Sequence, residues 1–142
     1  MSSAETVFRQ TVDLANRQDG NGIQQYLAED LEFDNPVTGP TDKNGMQQFH
    51  ASFFSAFPDL HYTIDTSVDD GKVLAVESTV TGTHKGQLMG IPPTNKKVEL
   101  KAAFFVEVSG DKIIRWRSYF DTASMLRQLG VLPEPAAAGA RT

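Results

Sequence analysis

The sequence predicts an α+β domain: helices first, then a curved antiparallel sheet of long strands, then one short closing helix. Three observations carry this. Up to Pro58, apolar residues recur mostly at helical spacing. From Leu60 onward the period changes to two. Each long strand so defined has one apolar and one polar face, so the helices must cover the apolar face. Leaving that face in water would forfeit about 1.5–3 kcal/mol for each large side chain.

Composition sets the bounds. The 142 residues are 39% hydrophobic and 22% charged, enough for a real core and unlike a disordered chain. One domain is expected over residues 1–133, with a frayed Pro- and Ala-containing tail over 134–142. The net charge of −5 and the lack of a basic block argue against a nucleic-acid partner. With no cysteine, disulfides, a thiolate nucleophile and thiolate metal sites are excluded. No apolar run approaches the roughly 18 residues needed to span a membrane. The opening Met-Ser-Ser-Ala-Glu lacks the charged and apolar regions of a signal peptide, so the expected location is cytoplasmic.

The elements follow in order. Ser2 with Glu5 three residues on has capping-box spacing, and Ala4, Val7, Phe8, Thr11, Val12 and Ala15 then share one helical face. That stripe ends near Asp19-Gly20, and Asn21 can cap a short second helix carrying Ile23, Tyr26 and Leu27. A strand over 31–35 puts Leu31, Phe33 and Asn35 on one face, with Glu32 and Asp34 opposite, before Pro36 and Gly39-Pro40 break it. A third helix over 43–57 carries Met46, Phe49, His50, Phe53, Phe54 and Phe57, and Pro58-Asp59 ends it.

Leu60, Tyr62, Ile64, Thr66 and Val68 then alternate with His61, Thr63, Asp65 and Ser67, and Asp69-Asp70-Gly71 makes a hairpin turn. A strand over 72–84 presents Leu74, Val76, Ser78, Val80, Gly82 and His84 on one face. A Gly- and Pro-rich loop over 85–95 leads to a strand over 97–108, with Val98, Leu100, Ala102, Phe104, Val106 and Val108 inward. After Ser109-Gly110-Asp111, a strand over 112–120 groups Ile114, Trp116, Ser118 and Phe120, opposite Arg115 and Arg117. Asp121 caps a last helix carrying Met125, Leu126 and Leu129, with Gly130 as its C′ residue. Where a curved sheet and its helices do not quite meet, a cavity remains, and that is the place for a ligand.

Four segments resemble the SnoaL-like polyketide cyclases, within the wider nuclear-transport-factor-like and ketosteroid-isomerase-like fold. They are FDNP (33–36), AFPDL (56–60), GTHKGQLMGIPPTNKKV (82–98) and DKIIRWRSYFDTASMLRQLG (111–130). The resemblance implies a cone-shaped barrel, often dimeric, whose pocket performs cofactor-free acid–base chemistry on a carbonyl compound. In the cyclases a carboxylate on the last strand drives an intramolecular aldol closure. It stands three residues before the aspartate of the YFD-type segment, which in this chain is Ser118. A hydroxyl cannot take up a proton at neutral pH as a carboxylate does. A histidine on the same strand of the cyclases falls at Trp116, and the asparagine of the pocket strand is present as Asn35. Limonene-epoxide-hydrolase-like proteins share the WRxYFD pattern and use an aspartate at the Ser118 position. They pair it with an arginine and a second aspartate on the middle strand, which here offers Ser78 and Val80. Ketosteroid isomerases place a base aspartate where Asn35 stands, with Asp34 one residue away on the opposite face, and a helix-1 tyrosine near Thr11.

Each candidate has a plainer reading beside it. His84 can be an acid/base at the cavity rim, since an unperturbed imidazole titrates near pKa 6.5, or a tie between loop and backbone. Asp121 can be a base or simply an N-cap. These two are the catalytic candidates. The binding candidates are Phe33, Asn35, Phe53, Val80, Ala102, Phe104, Trp116, Ser118 and Phe120. His50 is expected at the cavity mouth or on the surface. Ser118 has no arguable His and acid beside it for nucleophilic work. His50, His61 and His84 share no metal-ligand spacing, so neither metal nor cofactor is expected. Arg115 and Arg117 fall on the outer sheet face, which suits a homodimer contact or surface ion pairs. Two functions stay open: a cyclase or isomerase acting on an apolar, oxygenated, polyketide- or steroid-like molecule, and a non-catalytic binding or accessory module with the same pocket. An epoxide-hydrolase-like enzyme with a changed site is a third.

Overall fold

The computed structural model describes residues 3–133. Its elements run α1 (Ser3–Asn16), α2 (Gly20–Gln24), β1 (Leu27–Asp34), α3 (Lys43–Ala56), β2 (His61–Asp69), β3 (Leu74–Thr83), β4 (Lys97–Ser109), β5 (Lys112–Phe120) and α4 (Thr122–Gln128). The α+β class and the curved, helix-covered sheet are as expected. Ser2, the proposed capping residue, and the tail over 134–142 lie outside the described residues.

The sheet order is β1-β5-β4-β3-β2, so it stays open with β1 and β2 as edges. The hairpin-linked strands β2 to β5 pair antiparallel. β1 corrects the expectation of a wholly antiparallel sheet, because it lies parallel to β5. Its connection to β5 passes through α3 and three strands, so no tight turn dictates its direction.

Two bulges shift the inward set. On β2, Ile64 pairs with Ser78 while Thr66 pairs with Glu77, leaving Asp65 as an extra residue. Beyond it Val68, expected inside, is 65% exposed. On β5, Arg115 pairs with Glu107 and Ile113 with Val108, leaving Ile114 extra. Ile113 is therefore buried and Ile114 exposed, the reverse of simple alternation.

Caps place the helices. Asp19, rather than Asn21, caps α2 by accepting from the Gly22 N–H at 2.8 Å. Asp42 caps α3 through the Gly45 N–H at 2.9 Å. α1 buries Val7, Phe8, Thr11, Val12 and Ala15, and α3 buries Met46, His50, Phe53, Phe54 and Ala56. Against them lie Leu100, Ala102, Phe104 and Trp116 of the sheet, with Phe8 at 5.2 Å from the Trp116 ring and 5.8 Å from Phe104. The loop after β3 is pinned to the end of α3, where the N–H groups of Lys85 and Gly86 both donate to Ala56 O. A Cβ on Gly86 would overlap the Ser55 carbonyl oxygen, so only glycine allows this approach. Among the described residues no helix is long and apolar enough to cross a membrane.

Candidate active site

Between α1, α3 and the covered face of the sheet lies an unsealed cavity. It admits the centres of water-sized atoms over about 60 Å³. On that measure roughly 10–15 Å³ holds one water, so a molecule of one or two rings is the natural scale. Phe33, Phe53, Val80, Ala102, Phe104, Trp116, Ser118 and Phe120 all line it, and so do Phe8, Phe49, Phe57 and Tyr62. Among the described residues no Asp or Glu lines it.

The polar groups in this wall are few. The Trp116 indole Nε1–H donates to Ser118 Oγ at 2.9 Å, and both residues are buried. The Ser118 proton itself meets no protein acceptor among the described residues, which leaves one donor free for a ligand. Thr11 is spent on its own helix, donating to Phe8 O at 2.6 Å. Burial pushes the Tyr62 phenol well above the usual range, so it stays protonated.

His50 is the residue that sequence reading misplaced. It lines the cavity and is 5% exposed, because α3 turns it inward with Met46 and Phe53. Its ring stacks on Phe54 at 5.3 Å and 7°, and its Nδ1 is buried without a partner among the described residues. Desolvation pushes its pKa down to about 4, so the imidazole is neutral near pH 7. A signal was present: His50 sits four residues from both Met46 and Phe54, inside the apolar stripe.

Three other candidates lie elsewhere. Asn35 is 3% exposed but does not line the cavity. Its Oδ1 accepts from the N–H groups of Val37 and Thr38 at 2.9 and 3.0 Å, and its Nδ2 donates to Thr38 Oγ1 at 2.7 Å. It is a turn residue whose capacity is used. His84 is fully buried outside the lining, against Phe57 at 5.5 Å. Its Nδ1 accepts the Thr94 N–H at 3.2 Å and lies 3.0 Å from Thr94 Oγ1, which ties the two ends of the 85–95 loop together. Asp121 caps α4 by accepting from the Ser124 N–H at 3.1 Å and pairs with Arg127 at 3.9 Å, its side chain mostly exposed. Ser78 points to the backbone, donating to Thr63 O. No group of metal-ligating side chains occurs among the described residues.

The architecture is that of the ketosteroid isomerase-like fold. A protein of that fold from Catenulispora acidiphila, solved in complex with trimethylamine, superposes with a TM-score of 0.75 at 19% identity, over 89% of this chain and 93% of that one. The profile of the SnoaL-like polyketide cyclase family matches residues 5–129, and the chain belongs to that family. AclR of Streptomyces galilaeus, described as a proposed hydroxylase, is 22% identical with a TM-score of 0.86, covering 97% of this chain and 87% of that one. IdmH of Streptomyces antibioticus, described as a proposed polyketide cyclase, is 25% identical with a TM-score of 0.79, covering 90% and 99%. No curated protein sequence matches significantly.

Proposed function

We propose that this protein is a cofactor-free enzyme of cyclase or isomerase type. It binds an apolar, oxygenated small molecule and moves a proton beside its carbonyl group. Ser118 carries the reading. Its Oγ accepts from Trp116 at 2.9 Å, and the residue stands in a mainly apolar cavity wall. A carbonyl oxygen placed there accepts the hydroxyl's hydrogen bond, and the bond strengthens as negative charge builds on the oxygen. Membership of the cyclase family supports a polyketide-like substrate class. Homodimerisation through the outer face, where Tyr119 is half-exposed and Arg117 lies over Phe105, belongs to the same proposal, and sedimentation as a monomer would remove it.

A second reading is favoured by one observation: among the described residues no carboxylate lines the cavity. A binding module needs none. An epoxide-hydrolase-like reaction needs a carboxylate to activate water, which weakens that alternative.

Trp116 is the one tryptophan in the chain and lines the cavity, so its emission reports occupancy. Titration with 2-indanone should quench it saturably. Ser118→Ala should weaken that binding about five- to tenfold, the size of one good hydrogen bond. Binding of indane, the matching hydrocarbon, should change less than about twofold, since it makes no hydrogen bond. Equal effects on ketone and hydrocarbon would remove Ser118 from carbonyl recognition. Saturable binding without any deuterium incorporation next to the carbonyl would favour the binding module.

A further inference from the structure

The polar wall supplies donors, Ser118 and Tyr62, but a proton drawn from carbon also needs an acceptor. We propose that the His50 imidazole is that acceptor, and that the substrate is an electroneutral ketone whose α C–H is acidified by a second carbonyl or an adjacent aromatic ring. The inference rests on the reading of the cavity as a carbonyl site.

Among the described residues, His50 and Tyr62 are the two titratable side chains in the cavity lining, and the desolvated phenol keeps its own proton. Among the described residues the His50 Nδ1 is buried with no partner, a state that buried polar atoms seldom keep; His84 Nε2 and Arg117 Nε share it, but of the three residues only His50 lines the cavity. The ring is held in place by its stack on Phe54 and by an α3 capped at both ends, by Asp42 and Phe57. No charged neighbour contributes to its low basicity; burial alone does. α3 packs on β1 and α2. α2 has no titratable residue, and its cap Asp19 is exposed. On β1, Glu29 pairs with Lys43 at 2.9 Å, Asp30 and Glu32 are exposed, and Asp34 is half-buried.

The step balances without a co-reactant. The α C–H bond breaks and its proton goes to the unprotonated ring nitrogen. The bond's electron pair forms the C=C of the enolate, and the carbonyl π pair moves onto the oxygen held by Ser118. The enolate then stands beside an imidazolium in a low-dielectric cavity, where their attraction offsets the weak basicity of the free residue. The imidazolium returns the proton to another carbon, which completes an isomerisation. Alternatively the enolate carbon attacks a second carbonyl and the proton goes to the resulting alkoxide, which completes a ring closure. The weak base explains the substrate class: an unactivated ketone would give up its proton too reluctantly.

The test is deuterium incorporation into 2-indanone in D2O, followed by NMR, with Trp116 quenching as the measure of binding. The wild type should accelerate exchange. His50→Gln and His50→Phe should each lower that acceleration by about 100-fold or more, with binding changed less than about threefold and melting confirming the fold of both. Between pH 6 and 8 the wild-type rate should be flat, falling only as the pH nears about 4. Exchange that survives either substitution, a wild type that binds 2-indanone without exchanging it, or a rate that falls with a midpoint near 6.5 would overturn the role of His50. Each of those outcomes leaves carbonyl binding at Ser118 standing. Absence of binding by the wild type would instead bring down the carbonyl reading itself.

Discussion

Two pairs of buried polar residues in this molecule differ in where they stand, one pair outside the cavity and one in its wall. Asn35 and His84 look like site residues from their position along the strands, yet neither lines the cavity: Asn35 makes three hydrogen bonds within the 35–38 turn, and His84 makes two contacts to Thr94 through Nδ1 while its Nε2 is buried and has no partner among the described residues. Ser118 and His50 keep capacity in reserve, a free hydroxyl proton and an unpaired ring nitrogen, and both line the cavity. Burying a polar group is costly unless it is bonded. Asn35 meets that cost within its own turn, and His84 meets it at one ring nitrogen. The residues that leave it unmet within a cavity are the ones with something to offer a ligand.

The sharpest way to break this contrast is pH. The His50 pKa is lowered from 6.5 to about 4, so the unfolded chain binds the extra proton first as pH falls. The stabilising contribution is complete above pH 6.5 and is lost as pH falls through the window from 6.5 to about 4. The total loss is roughly 3 kcal/mol. Denaturant unfolding across that window should show it in the wild type and show much less in His50→Phe. Equal slopes would mean that the imidazole is not desolvated.

On the scaffolding side, Asn35→Ala should lower stability by about 2 kcal/mol, since two backbone N–H groups lose their acceptor. Binding of 2-indanone, read from Trp116, should stay within about twofold, a change too small for a lost hydrogen bond. A large loss of affinity at unchanged stability would return Asn35 to the site. His84→Leu should cost about 1–2 kcal/mol by freeing the Thr94 end of the loop, with deuterium exchange unchanged. Loss of exchange in a well-folded His84→Leu protein would move the proton chemistry to the loop. The smallest effect belongs to Asp121→Ala, about 1 kcal/mol for a lost N-cap, again with exchange unaffected.

Much of the fold was legible because its signals are local. The stripes of α1 and α3, the alternation along β4, the Asp121 cap and Gly130, which adopts φ +80° after α4, all follow from neighbours a few residues apart. The failures have physical causes. Alternation counts residues and cannot see an inserted one, so Asp65 and Ile114 reversed the faces of Val68, Ile113 and Ile114. β1 finds β5 across most of the chain, and no turn announces the parallel pairing. For the site, face assignment was enough to gather Phe33, Val80, Phe104, Trp116 and Ser118 around one cavity. It could not tell that Asn35 and the Nδ1 of His84 were already engaged outside the cavity, because that depends on Thr38 and Thr94 meeting them in space. His50 was hidden by company: among four phenylalanines of one helix stripe, a histidine reads as an outlier near the edge.

That Ser118 presents its unspent proton to a ligand carbonyl can be read from the ligand itself. Carbonyl-labelled 2-indanone, bound to the protein and measured by difference infrared spectroscopy, should show its C=O stretch shifted to lower frequency than in a hydrocarbon solvent. In Ser118→Ala the band should return close to the hydrocarbon position, and in His84→Leu it should stay where the wild type has it. The same band position in wild type and Ser118→Ala would contradict the assignment of the site.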